Sequence, residues 1–161
     1  EDNPAHGLTI VGAYNGCGMD AGTVARGTDP VFTPRTTRHV GLGLPLVAMA
    51  AEQTGGRLTI RSQPGAGTTV SATFGLSHPD RQPLGDMAAT VLTFLLSDRA
   101  PELHYTHRIC RSDSDEGLWR VFDFDTAEIR AELGDLPLGH PAVARWLMEF
   151  LEEGETGLRA E

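Results

Sequence analysis

The 161 residues carry 22 acidic and 13 basic side chains, a formal net charge of −9, and 40% of them are hydrophobic. This content suffices to bury the core of one or two small domains. No apolar run approaches the roughly 20 residues that a membrane-spanning helix needs, so we expect no membrane span. The acidic balance argues against nucleic acid as a partner.

The charge is concentrated in the second half of the chain. Residues 1–77 hold five acidic residues and five arginines, which leaves 17 acidic and 8 basic side chains beyond residue 77. We therefore divide the chain into residues 1–77 and an acidic extension, residues 78–161. The chain contains no lysine, which excludes a Walker-type P-loop because that motif needs its lysine.

The N-terminal residues and the two cysteines indicate the cellular compartment. The first residues are acidic, unlike the basic start of a signal peptide, and no methionine begins the chain, so we expect a piece of a longer polypeptide. Cys17 and Cys110 stand in unrelated contexts and predict no disulfide framework. We expect a reducing, cytoplasmic setting.

In chain order, residues 8–11 alternate as a strand that ends at the glycine-rich turn Asn15–Met19. Asp20 is suited to cap a short helix through Arg26, and residues 27–41 have the composition of a loop. Residues 42–54 predict a helix that Gly55 and Gly56 stop. Two strands, residues 57–62 and 68–74, then form a hairpin across the turn 64–67.

Residues 77–83 contain two prolines and mark the boundary of the extension. Beyond them the pattern predicts a helix, two strands and two further helices, at residues 84–97, 102–111, 118–124, 125–133 and 140–153. Asp125 and Glu128 have the spacing of a capping box for the first of the two last helices.

Three glycine clusters follow one another in residues 1–77, at 15–19, 41–44 and 65–68. A single glycine cluster is explained by an ordinary turn of the backbone, but each of these three stands beside an element that a nucleotide site needs. The cluster Gly41–Leu44 opens a helix, so its backbone N–H groups form an anion site for a polyphosphate. The loop before it adds guanidinium and hydroxyl groups suited to a lid over phosphates, from Thr33, Arg35, Thr36, Thr37 and Arg38.

This order and spacing resemble the GHKL ATPase superfamily, which includes gyrase, heat-shock chaperones, histidine kinases and mismatch-repair ATPases. Asn15–Met19 look like its first glycine box, Phe32 like its F-box, Gly41–Leu44 like its second glycine box, and Gly67-Thr68 like its G-T pair. The resemblance implies an α/β two-layer sandwich, with helices on one face of a mixed sheet, followed by a small α+β extension. It also implies ATP and Mg²⁺ as cofactors and phosphoryl transfer or hydrolysis in signal transduction.

The resemblance assigns roles to individual residues. Gly41, Leu42, Gly43 and Leu44 would hold phosphates, and Gly16, Gly18, Met19 and Thr68 would line the adenine. Residues 32–46 and 76–87 narrow the likeness to a small bacterial subfamily of histidine-kinase-like ATP-binding proteins with a C-terminal extension, some associated with iron-only hydrogenase gene clusters.

The sequence departs from the family pattern in two places. The family has an aspartate at the position of Tyr14, where the carboxylate accepts a hydrogen bond from the adenine amino group. The N-box helix, whose asparagine coordinates Mg²⁺, would precede Glu1, so we expect the magnesium ligand outside this chain. The apolar surface that such a helix would cover leads us to expect association of the chain as a symmetric dimer.

Several other residues have simpler explanations than chemistry. His78 follows a strand and precedes Pro79, so we interpret it as a loop residue and not as a phosphoacceptor. His104 and His107 should lie on opposite faces of a surface strand, which argues against a metal site. The alternative to nucleotide binding is a non-enzymatic interaction protein that keeps the fold and binds a protein partner through its acidic extension.

Overall fold

The computed structural model describes residues 7–29, 41–97, 101–110 and 119–159. The chain divides into two compact units, Glu1–Pro83 and Leu84–Glu161. The described elements of the first unit are β1 (Gly7–Tyr14), α1 (Ala21–Ala25), α2 (Gly43–Gln53), β2 (Arg57–Gln63) and β3 (Gly67–Gly75). Those of the second are α3 (Met87–Leu95), β4 (His104–Cys110), β5 (Trp119–Asp125), α4 (Thr126–Leu133) and α5 (Pro141–Arg159).

The first unit contains an antiparallel sheet in the order β1-β3-β2 with helices against one face. Successive side chains of β2 alternate between exposed and half-buried positions, and Leu58 and Ile60 lie on the covered side. Ala72 of β3 and Ala48 and Ala51 of α2 are buried between the two layers. The predicted α+β two-layer arrangement is confirmed, and the described strands all pair antiparallel.

The end of α2 forms a Schellman motif. The N–H of Gly56 donates to the carbonyl of Ala51 at 2.9 Å, and the N–H of Gly55 donates to Glu52 at 3.0 Å. Gly55 has a φ of +74°, which favours glycine. The predicted stop of this helix is therefore confirmed, and the chain enters β2 directly after it.

The second unit packs its helices against a two-stranded antiparallel ribbon, β4-β5. One continuous apolar core joins α3, β5 and α5, and its fully buried side chains include Leu95, Leu147 and Leu151. Four pairs of aromatic rings are in contact, and the closest pair is Trp146 and Phe150 at 5.5 Å between centroids.

Two predicted helix bounds were wrong. The helix predicted from Leu84 begins at Met87, because Asp86 caps it by accepting from the Ala89 N–H at 2.8 Å. The helix predicted to end at residue 153 continues to Arg159, because buried positions recur through Leu151, Glu155 and Leu158. The sequence also predicted a capping box at the start of α4. Asp125 accepts a hydrogen bond from the Ala127 N–H at 2.7 Å, but the described hydrogen bonds do not include the reciprocal bond to the Glu128 side chain.

Gly154 allows α5 to approach the ribbon closely. A side chain at this position would overlap the ring of Phe122. Within the ranges that the structure describes, no helix combines the length and the apolar content that crossing a membrane requires.

Candidate functional site

The first glycine box and the tip of the β2-β3 hairpin are joined by two direct hydrogen bonds. The carbonyl of Cys17 accepts from the Gly65 N–H at 2.8 Å. The N–H of Met19 donates to the Ser62 hydroxyl at 2.7 Å. Two of the three predicted glycine clusters therefore form one structure, although about 45 residues separate them in the chain.

Ser62 is the centre of this junction, and the sequence interpretation missed it. Its Oγ lies 2.9 Å from the carbonyl of Gly67 and 2.8 Å from Oγ1 of Thr68. A serine hydroxyl has one proton, so when Ser62 donates to Gly67, Thr68 donates to Ser62. The signal that could have revealed it is a polar residue on the same strand face as Leu58 and Ile60.

Two of the predicted glycines serve close backbone approach. Gly18 has a φ of +69° and Gly67 a φ of +92°, conformations that other residues rarely adopt. A Cβ on Gly18 would overlap the carbonyl of Gln63, and one on Gly67 would overlap the carbonyl of Tyr14. These residues therefore hold the box against the hairpin, whereas Gly16 is exposed and faces open space.

The start of α2 carries N–H groups with no side-chain cap. Leu42 occupies the N-cap position and makes no side-chain hydrogen bond there, and Pro45 has no N–H. The N–H groups of Gly43 and Leu44 belong to the first turn, which has no partners inside a helix. A Cβ on Gly43 would meet nothing within 4 Å. This arrangement can bind an anion.

The short connection between α2 and β2 indicates the direction in which the helix runs. Only Gly55 and Gly56 separate the C-cap of α2 from β2, so the helix reverses into the strand. Because α2 packs against both β2 and β3, we infer that its N-terminus lies toward the half of the sheet that contains Ser62 and Thr68. Gly41 and Leu42 lie immediately before the helix.

Tyr14, Thr68 and Ser62 form a row across the three strands. Tyr14 pairs with Thr68, and Thr68 pairs with Ser62. Directly opposed residues of antiparallel strands point to the same side of the sheet, here the side that the helices cover. Asn15, next to this row, is exposed. The predicted lid residues Phe32, Arg35, Thr37 and Arg38 lie outside the described residues.

The side chain of Asp20 caps α1. Its Oδ1 accepts from the Thr23 N–H at 2.8 Å at the start of α1, as predicted. The hydrogen bond from Thr23 lowers the pKa of this carboxyl below its ordinary value. Among the residues that the structure describes, no group of three or more His, Cys, Asp or Glu is placed to hold a metal ion.

The two histidines of β4 lie on opposite faces, as predicted. His104 bonds Asp123 at 2.8 Å on the exposed face. His107 instead bonds the carboxylate of Glu155 in α5 at 2.9 Å, and its side chain is only 15% exposed. The expectation of a plain surface strand was thus wrong on this side, because α5 covers it.

His78 lies in the turn after β3, and its Nδ1 accepts from the Asp80 N–H at 3.2 Å.

Glu155 also accepts from the Tyr105 hydroxyl at 2.6 Å. Burial, followed by this hydrogen bond, raises the pKa of Tyr105 above its ordinary value. The carboxylate thus joins β4 to α5 inside the second unit.

Comparison with known proteins shows what the first unit is similar to. Residues 2–78 match the family described as histidine kinase-, DNA gyrase B-, and HSP90-like ATPase. Over 67 residues, 41% of this chain, the sequence is 39% identical to a protein of Shewanella frigidimarina named "Putative sensor protein". That stretch is 10% of the relative's length. The first unit is therefore similar to the ATP-binding domains of histidine-kinase-like ATPases.

Proposed function

We propose that the first unit binds ATP with its phosphates at the start of α2 and its base at the row formed by Tyr14, Thr68 and Ser62. The observation that carries this proposal is the uncapped start of α2, in the same unit as a glycine box that is hydrogen-bonded to the hairpin. In the intact protein the bound nucleotide would serve phosphoryl transfer or hydrolysis in a sensor-type pathway.

The contribution of the described residues is positioning and electrostatics, as in other phosphoryl-transfer proteins. The N–H groups of Gly43 and Leu44 would donate to phosphate oxygens. Arg35, Thr37 and Arg38 would add donors from the lid. Mg²⁺ normally neutralises bound phosphates, and we expect its protein ligand outside this chain.

The test is a titration with a fluorescent ATP analogue, with and without Mg²⁺, of the wild type and Gly43→Leu. The new side chain has room in the fold, so it should block the phosphates without unfolding the unit. Affinity should fall at least about tenfold, since charge-assisted hydrogen bonds of about 1.5–3 kcal/mol are lost.

Gly157→Leu is the matched control, because Gly157 also lies in a helix, faces open space and belongs to the second unit. It should leave the affinity unchanged. If Gly43→Leu binds as tightly as this control, the phosphate assignment is wrong.

A non-enzymatic interaction protein is the second candidate, and Tyr14 is the observation that favours it, because the resemblance places a carboxylate there. In this case the acidic second unit would bind a protein partner. The wild type would then fail to bind the analogue in either condition, and Gly43→Leu would change nothing.

A further inference from the structure

Tyr14 has an unusual environment for an aromatic residue of a sheet. It ends β1 on the side that the helices cover, yet it is 63% exposed. The packing of α1 and α2 explains this, because α2 lies against β2 and β3 and α1 against β2. The ring is therefore accessible at the end of the row where we place the base.

The ring is held along its own strand. A Cβ on Gly12, two residues earlier, would lie 2.8 Å from the phenol oxygen and 3.1 Å from the nearest ring carbons. The ring thus lies over a residue without a side chain. None of the hydrogen bonds between described residues involves the phenol, so neither core packing nor a polar partner in the described part of the chain accounts for the residue.

The surroundings of Tyr14 offer neutral groups to a base. Thr68 beside it is hydrogen-bonded to Ser62. The carboxylate nearest in sequence, Asp20, is engaged at the Thr23 N–H. The row itself, Tyr14, Thr68 and Ser62, contains no charged acceptor for an amino group of adenine, whereas the face of the Tyr14 ring is available to any base.

We propose that Tyr14 binds the base of the nucleotide by stacking, and that the site does not discriminate adenine from guanine. This inference rests on the proposed function. Stacking uses the π face that every base has, and discrimination would need a directed acceptor for the exocyclic amino group. The ligand class is accordingly a purine nucleoside triphosphate.

The experiment measures dissociation constants of ATP, GTP and inorganic tripolyphosphate by calorimetry, each with Mg²⁺. The wild type should bind ATP and GTP within about threefold of each other. Tyr14→Ala should weaken both by roughly 5- to 100-fold and leave tripolyphosphate unchanged. Tyr14→Phe keeps the ring and should bind like the wild type.

Tyr14→Asp supplies the missing acceptor and should create an adenine preference of about tenfold or more. A wild-type preference for ATP above tenfold would overturn the inference while leaving the proposed function intact. Tighter binding by Tyr14→Ala would also overturn it, because the ring would then obstruct the base. Failure of wild type and all three variants to bind any of the three ligands would remove the proposed function together with the inference.

Discussion

Replacing Ser62 with alanine tests the junction between the glycine box and the hairpin. The hydroxyl accepts from the Met19 N–H, contacts the Gly67 carbonyl and pairs with Thr68, at 2.7, 2.9 and 2.8 Å. All three contacts are part-buried. The substitution removes them together and leaves the Met19 N–H without its partner.

The magnitude follows from these three bonds. Each intramolecular hydrogen bond contributes about 0.5–1.5 kcal/mol net, and an unsatisfied buried group costs about 1–3 kcal/mol. Water can reach part-buried groups, so we take the lower part of this range and expect a loss of about 2 kcal/mol. This corresponds to roughly a 30-fold fall in the protection of the Met19 amide against hydrogen exchange, where local opening controls it.

Amide exchange followed by NMR measures the effect at Met19 and Gly65. Ser71→Ala is the matched control, because Ser71 lies in the same sheet on the opposite face. ATP affinity should fall in Ser62→Ala and stay constant in Ser71→Ala. Equal protection of Met19 in the two variants would show that Ser62 does not hold the box in place.

Two further predictions concern the second unit. Glu155→Ala should lower the free energy of unfolding by about 3 kcal/mol, because the phenol of Tyr105 and the imidazole of His107 lose their buried acceptor. Glu152→Ala, at an exposed position of the same helix, is the control and should change the free energy of unfolding little. Equal urea midpoints for the two variants would contradict the predicted role of Glu155. The His104 pKa is raised above its ordinary value of 6.5, chiefly because the ring N–H donates a hydrogen bond to the Asp123 carboxylate. The stabilisation that protonated His104 gains from Asp123 is fully present below pH 6.5 and is lost as pH rises through the folded-state pKa. NMR titration should show the raised pKa of His104, and Asp123→Asn should remove the shift.

The sequence predicted the local features of the site well. Asp20 and Gly55 act on their own few residues, so the caps that they form can be inferred from neighbouring positions. The helix start at Gly43 was predicted within one residue for the same reason.

Features that depend on distant residues were not predictable. The role of Ser62 arises from a glycine box 43 positions away. Its position on the same strand face as Leu58 and Ile60 marks it as a polar residue on the covered side but does not identify its partner. Gly154 and Gly157 are typical of a helix end, yet α5 passes through both, because its buried stripe continues to Leu158. Tertiary packing outweighs the helix propensity of a glycine, a cost of about 1 kcal/mol.

The contact between Gly154 and Phe122 has a consequence for the second unit. Adjacent residues of a helix point about 100° apart, so turning α5 by one position would bring a side chain into the space of the ring. The absence of a side chain at Gly154 thus fixes the rotation of α5 about its own axis against the β4-β5 ribbon. It directs Glu155, the next residue, toward Tyr105 and His107. Changes of length in the loop before α5 can therefore be absorbed there without moving the carboxylate.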